Sequence, residues 1–331
     1  DDYHRWLRDR GQGHFVDLLD QESEYRRHAP DAYWDNVGAL VSDLDEEYHS
    51  TTWIAERAVE EVATWNGGGN LLMASFIKPH HPFDPPASWA DMYDPNALHM
   101  LPGYISTPQT QDLTFSRGYF SYNEMTEAKI RRAMAYYYAT ISQIDHHVGR
   151  LVALLKDKNL YDNTLILYNS DHGDYMGYHH LLLKGNYMYE PLIRVPLIVK
   201  YPDQQQAGSV CNALVNSTDC APTLLQSAGC AVPRHMAGSD LLDLTEREFT
   251  FAESGSGHSY MVRSQRYKLL WCRDDVQSQF FDLEEDPYEL HNLYADSGHG
   301  QIVVHMKSAL TPVSYTHLRA HETLRYLVCR L

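Results

Sequence analysis

At 331 residues with 44% hydrophobic content, the chain is long enough to bury one large core with a small appendix, and its composition is that of a globular protein. A formal net charge of −17 with no compensating basic face argues against a nucleic-acid or anionic-membrane binder. No apolar run reaches the length of a membrane span.

The five cysteines, at 211, 220, 230, 272 and 329, lack metal-type spacing. They read as buried thiols at least as readily as disulfides, with Cys211 and Cys220 the pair that could join. The chain opens on Asp1-Asp2-Tyr3 without an initiator Met, so neither compartment nor oligomeric state is readable.

In chain order, Asp1 to Tyr48 is acidic and irregular and reads as connecting structure. Ser50-Thr51 offers caps for a helix through Trp65, with Ile54, Ala58, Val62 and Trp65 on one stripe. Gly67-Gly68-Gly69 precedes a predicted strand, Leu71–Phe76, so it reads as a flexible turn and not as a phosphate cradle. The strand leads into Lys78-Pro79-His80-His81-Pro82, where flanking prolines present His80 with little conformational freedom. Lys78 is either a second positive group for an anionic substrate or a solvated lysine.

The longest predicted helix runs from Asn123 to about Leu160, its buried stripe being Ile130, Met134, Tyr137, Ile141, Ile144, Val148, Leu151 and Leu155. Asp145, His146 and His147 sit beside that stripe and take packing or surface roles. Thr164–Tyr168 has the aliphatic density of a buried strand, and Asn169–Gly173 breaks it where a parallel sheet would present its carboxyl edge, the place where open α/β sheets bind ligands. In the tight turn that Gly173 permits, Asp171 and His172 can face one point, either as half of a divalent-metal site or as a solvated turn. Gly177, His179, His180 and Lys184 follow.

Next come a strand at Val195–Tyr201 and a helix capped near Ser217–Asp219 and ending at Gly229. Beyond about Leu241, shorter alternating strands at Phe249–Glu253, Tyr260–Trp271 and Phe280–Leu283 predict a small antiparallel sheet with a closing helix. VSYTHLRAHET, within residues 313–331, back-translates without conflict to a transposase sequencing adapter. Val313 to Leu331 is therefore expected not to be native and is set aside from fold reasoning.

Asp-His-Gly at 171–173, Gly-x-His at 177–179 and Lys184, followed by Tyr189-Glu190-Pro191-Leu192-Ile193-Arg194-Val195-Pro196, resemble the second metal-binding segment of the sulfatase family, within the alkaline-phosphatase superfamily. The resemblance extends to Pro79-His80-His81-Pro82, to Ile144–Arg150, to Met261–Leu269 and to Asp282–Leu290. It implies an α/β fold, an alkaline-phosphatase-like sheet sandwiched by helices. Residues 1–240 would belong to the catalytic domain and 241–312 to an antiparallel α+β subdomain.

By the same resemblance, Asp171 and His172 would be metal ligands, and Lys184 would contact the sulfuryl oxygens. His80 would protonate the leaving oxygen or assist release of the intermediate, and His179, at the family's Gly-x-His position, would be a substrate-side group or a structural support, as would His180; Lys78 is the further substrate-side candidate that its charge suggests. The residue types suit those tasks, Lys as a compact charge and His as an acid near neutral pH. The implied activity is hydrolysis of a sulfate ester of a small molecule or glycan, with Ca²⁺ as the expected metal and Mn²⁺ as the alternative. Phosphonate monoester or phosphodiester hydrolysis on the same scaffold, and a non-catalytic paralogue that binds sulfated glycans, are the other readings. The family's nucleophile, a formylglycine made from a Cys-x-Pro-Ser-Arg motif, has no counterpart in this sequence. The expectation is a chain truncated at both ends and inactive by itself.

Overall fold

The computed structural model describes residues 2–13, 31–115, 120–244, 246–254, 259–273 and 275–310. The expected adapter translation at 313–331 lies outside them. The N-terminal stretch is more regular than its composition suggests, opening in helix α1 (Asp2–Asp9). Tyr3 and Leu7, one turn apart, bury against Leu44, and Asp2 and Arg8 sit at the ends that suit their charges.

Helix α2 (Ser50–Thr64) is capped by His49, whose Nδ1 accepts from the Thr51 N–H at 3.3 Å. Ser50 and Thr51, expected as caps, are instead buried in its first turn. Ala55, Ala58 and Val62 form the buried stripe, and α2 packs along helix α3 (Glu127–Asp157). Thr126 caps α3 through its hydroxyl. The buried face of α3 is wider than its aliphatic stripe. Ile130, Met134, Ile144 and Leu155 are buried as expected, but so are Ala133, Ala139, Thr140, Gln143 and His147, because α2 covers one flank and the site segment another. Tyr137, Ile141, Val148 and Leu151 are only half-buried, and Asp145 and His146 face solvent.

Two short strands frame the site segment. β1 (Ile166–Asn169) pairs antiparallel with β2 (Leu197–Lys200), Ile166 opposite Lys200 and Asn169 opposite Leu197, so the parallel pairing expected for β1 is not the one these two form. The predicted strand at Leu71–Phe76 is not formed either. Its residues alternate in exposure as an extended chain would, but Leu71 is 81% and Met73 85% exposed. Among the described residues it has no ladder partner, and a β pattern without a neighbour is not a strand. Ser217–Asp219 and helix α4 (Cys220–Ser227) follow β2, capped by Asn216.

The C-terminal sheet has the order β3 (Thr250–Glu253), β4 (Ser259–Arg263), β5 (Tyr267–Cys272), β6 (Gln279–Asp282), all antiparallel. The span Tyr260–Trp271, read as one run, is a hairpin turning at Ser264 to Arg266. Alternation along these strands sends Tyr260, Val262, Leu269 and Phe280 to helix α5 (300–310), where Val303, Met306 and Leu310 meet them. Met261, Leu270, Cys272 and Phe281 go to the other face, against Tyr175, Tyr187, Tyr189 and Leu192. The sheet is thus a backing plate for residues 175–192. Cys211, Cys220, Cys230 and Cys272 are all free thiols.

Candidate active site

Gly173 ends the run after β1 by coming close to another backbone: its N–H donates to Leu192 O at 2.7 Å, and a Cβ there would stand 2.0 Å from Pro191 O. No other residue type fits this approach. The preceding pair is thereby turned outward. Asp171 Oδ1 accepts from the His172 backbone N–H at 2.8 Å. The His172 Nδ1–H donates to Gly173 O at 2.8 Å, which leaves Nε2 free of backbone and 3.7 Å from Asp171 Oδ2. Both side chains are open to solvent, 86% exposed for Asp171 and 38% for His172.

A carboxylate oxygen and a neutral imidazole nitrogen on one side of a turn fit two ligands of a divalent ion. They are two donors only. Among the described residues no group of three or more His, Cys, Asp or Glu is placed to hold a metal.

From here the chain makes a closed loop back to Lys184. Asp174 Oδ1 accepts from Met176 N at 2.8 Å and Leu183 N at 2.9 Å, while Tyr175 N donates to Leu183 O and Gly177 N to Leu181 O. Burial pushes the Asp174 carboxyl up to about 7, against the pull of those two N–H groups and of Lys184. Met176, His179, His180 and Leu183 all have positive φ, a density of left-handed non-glycine backbone that persists only where surrounding contacts over-determine it.

Those contacts can be named. His179 is fully buried, its Nε2–H donating to Tyr288 O at 2.9 Å and its Nδ1 lying 3.3 Å from Asp112. It stacks on Tyr178 with ring centroids 4.3 Å apart. His180 Nε2 bonds Ile105 O at 2.5 Å, and the Tyr189 hydroxyl donates to Asp112 Oδ1 at 2.5 Å and lies 2.9 Å from the Gln279 side-chain amide.

Lys184 emerges from this loop beside Asp174, and its Nζ lies 2.6 Å from His80 Nε2. The His80 Nδ1 is 2.7 Å from His81 O. A carbonyl can only accept, so Nδ1 carries the hydrogen and Nε2 accepts from the Lys184 ammonium. Peptides Lys78-Pro79 and His81-Pro82 on either side of His80 are cis.

Of the six residues singled out in the sequence, His80 and Lys184 are in direct contact, and Asp171 and His172 form a second pair on the same loop. Lys78 and His179 are not brought to either pair. The Lys78 side chain is 1% exposed and bonded to Asp84 and to Pro82 O, and His179 is locked beneath the loop. In the sequence Lys78 is a substrate-side candidate for its charge, and His179 a substrate-side or supporting one for its Gly-x-His position. Burial and intramolecular partners make them supports of the loops that carry the site.

The supports missed in the sequence are Asp174, Asp112, Tyr189, Lys268 and Glu289. Lys268 is fully buried, with Nζ 2.7 Å from Glu289 and 3.2 Å from Glu190. Glu289 in turn accepts from the Glu190 backbone N–H, so strand β5 holds the end of the site segment. Only Asp174, adjacent to the Asp-His-Gly motif, carried a local signal.

The sulfatase family profile matches residues 2–230, more than half of the chain. This chain belongs to the sulfatase family. A second profile, N-sulphoglucosamine sulphohydrolase, C-terminal, matches residues 177–316. The chain is similar to an arylsulfatase of Clostridium perfringens, at 29% identity covering 94% of this chain and 65% of that one. It is also similar to a choline-sulfatase of Rhizobium meliloti, at 33% identity covering 67% and 46%. The chain therefore spans less than two thirds of either relative's length.

Among solved structures, a phosphonate monoester hydrolase of Agrobacterium radiobacter matches with a TM-score of 0.74 at 20% identity, covering 96% of this chain and 69% of that one. The fold is the mixed α/β, alkaline-phosphatase-like one. Sulfatases as a family work with a bound metal ion and a formylglycine.

Proposed function

We propose that the enzyme to which this sulfatase-family chain belongs hydrolyses a sulfate monoester of a small molecule or glycan, with His80 and Lys184 at the leaving oxygen. The observation that carries the reading is the 2.6 Å contact between Lys184 Nζ and His80 Nε2, made between residues 104 positions apart and with the imidazole tautomer fixed by His81 O. The pair shares one dissociable proton, resident on the ammonium and aimed at one place. Delivered to an alkoxide as the ester bond breaks, that proton neutralises the poor leaving group, which is the principal obstacle in sulfate ester cleavage. The ammonium also offers its remaining hydrogens to sulfuryl oxygens, as a point charge.

Asp171 and His172 would hold part of a divalent metal site, for which we propose Ca²⁺ in preference to Mn²⁺, and the ion when bound neutralises charge on the sulfuryl oxygens. The exposure of Asp171 and of the adjacent His172 Nε2 edge suits that role.

The test is to read the locus upstream of Asp1, express the extended protein with formylglycine maturation, and compare hydrolysis of an aryl sulfate with that of an aryl phosphonate monoester. Sulfate turnover, reduced roughly 10²- to 10⁴-fold by His80→Ala and similarly by Lys184→Ala, is the expected result. Preference for the phosphonate, or sulfate turnover indifferent to both substitutions, would overturn the proposal.

A further inference from the structure

A cleft of about 460 Å³ opens beside the first turns of α3, lined by Asn36, Asp91, Tyr93, Lys129, Arg132 and Tyr136. None of these residues belongs to the loops that carry His80, Asp171, His172 or Lys184. Arg132 lies over the Tyr136 ring, its guanidinium carbon 5.2 Å from the centroid. It is steadied by Asn36 Oδ1 at 3.3 Å and Tyr136 Oη at 3.4 Å, while its Nε is buried and makes no hydrogen bond among the described residues.

No carboxylate among the described residues pairs with Arg132 or with Lys129. The chain's formal charge is −17, and several of its guanidinium groups, such as Arg131, Arg150, Arg247 and Arg266, are held by Asp or Glu. A guanidinium oriented by neutral partners, whose two Nη groups keep N–H donors beyond the two bonds named and which has a second cation beside it, is arranged to receive an oxyanion.

The rest of the lining suits a sugar ring. Tyr93 and Tyr136 supply flat apolar surface with polar tips, and Asn36 and the exposed Asp91 supply acceptors for hydroxyl donors. The volume is that of a small-ligand pocket. We infer that this cleft is a second, non-catalytic subsite that binds an anionic saccharide unit, its sulfate group on Arg132 and Lys129 and its ring against Tyr136. The choice of a sulfated sugar rests on the sulfate-ester reading; the anion site itself rests on the cleft.

The test is calorimetric titration of the chain with glucosamine 6-sulfate, unsulfated glucosamine and inorganic sulfate, repeated for Arg132→Ala, Lys129→Glu and Lys184→Ala. The expected result is binding of the sulfated sugar that beats both fragments, weakens roughly tenfold or more in Arg132→Ala and Lys129→Glu, and survives in Lys184→Ala. Lys129→Glu changes a half-buried side chain that lines the cleft and makes no ion pair among the described residues, so it keeps the test valid if Arg132→Ala unfolds. Binding unchanged in Lys129→Glu, or abolished by Lys184→Ala alone, overturns the inference, as does equal binding of the unsulfated sugar. None of these outcomes depends on turnover, so the subsite and the sulfatase reading fail separately.

Discussion

Gly173 and Gly149 show how opposite the same substitution can be at two positions in this chain. Gly173 lies where a methyl group would enter the Pro191 carbonyl, so Gly173→Ala must push apart the turn that carries Asp171 and His172 and the chain entering β2. Forced overpacking of this kind costs about 1–3 kcal/mol. Gly149 lies inside α3 with nothing within 4 Å of its would-be Cβ, and Gly149→Ala should add about 0.5–1 kcal/mol by removing the conformational freedom glycine keeps in the unfolded chain. Urea unfolding of both variants, at unchanged slope, measures the pair. Equal midpoints for the two would show that Gly173 is not held by close approach. His80 and Lys184 obey a different rule at the same scale. Each is exposed enough to reach a ligand, and neither is needed to fill the core.

At the scale of elements, strand β5 and the site segment are joined by one buried cation. Lys268 holds Glu289 and Glu190 together, with Arg263 on Glu190 at 3.1 Å. Lys268→Met would leave two carboxylates close together without their shared cation, a change that costs about 3–5 kcal/mol in comparable buried pairs. Its signature would be early proteolytic cleavage within residues 175–192 together with a lowered melting temperature. An unchanged cleavage pattern would show that the sheet does not brace the segment.

This bracing explains what could be read in the sequence. The Asp-His-Gly turn, Lys184 and His80 were legible because short polar motifs at element ends keep their meaning locally, and α2, α3 and the C-terminal strands were legible from period. Lys268 and Glu289 were not, because a charged residue in a sequence looks solvated until a partner 21 or 78 positions away is folded against it. Residues 71–76 failed in the converse way. Their pattern is that of a strand, but a strand is a property of two chains in register.

For the whole molecule, the distribution of shifted carboxyl groups sets how stability responds to acid. The Arg266 hydrogen bonds hold the Asp282 carboxyl below the ordinary carboxylate range, against the opposing effect of its burial. Glu190 is also held low; burial pulls it up, but Lys268 and then Arg263 outweigh that pull. For both groups the unfolded chain binds a proton more readily than the folded one. Their contribution is therefore complete above the unfolded value and is lost as pH falls through the folded one.

Glu289 has the opposite sign. Burial raises it above the ordinary range despite Lys268, so the folded chain takes up its proton first, and its contribution is present at low pH and lost as pH rises through its folded value. The net expectation is a urea midpoint that falls as pH is lowered below about 5, through the ordinary carboxylate range. Asp282→Asn should make that fall shallower by removing one of the groups responsible, and Glu289→Gln should steepen the curve by removing one of the groups that oppose them, the buried Asp174 being another. Parallel curves for the parent and Asp282→Asn would mean that the Arg266 pair, 46% exposed on its guanidinium side, is screened by solvent too well to couple folding to pH. Acid sensitivity would then rest on the Glu190 cluster and the other carboxyl groups held low, such as Glu56 beside Arg150.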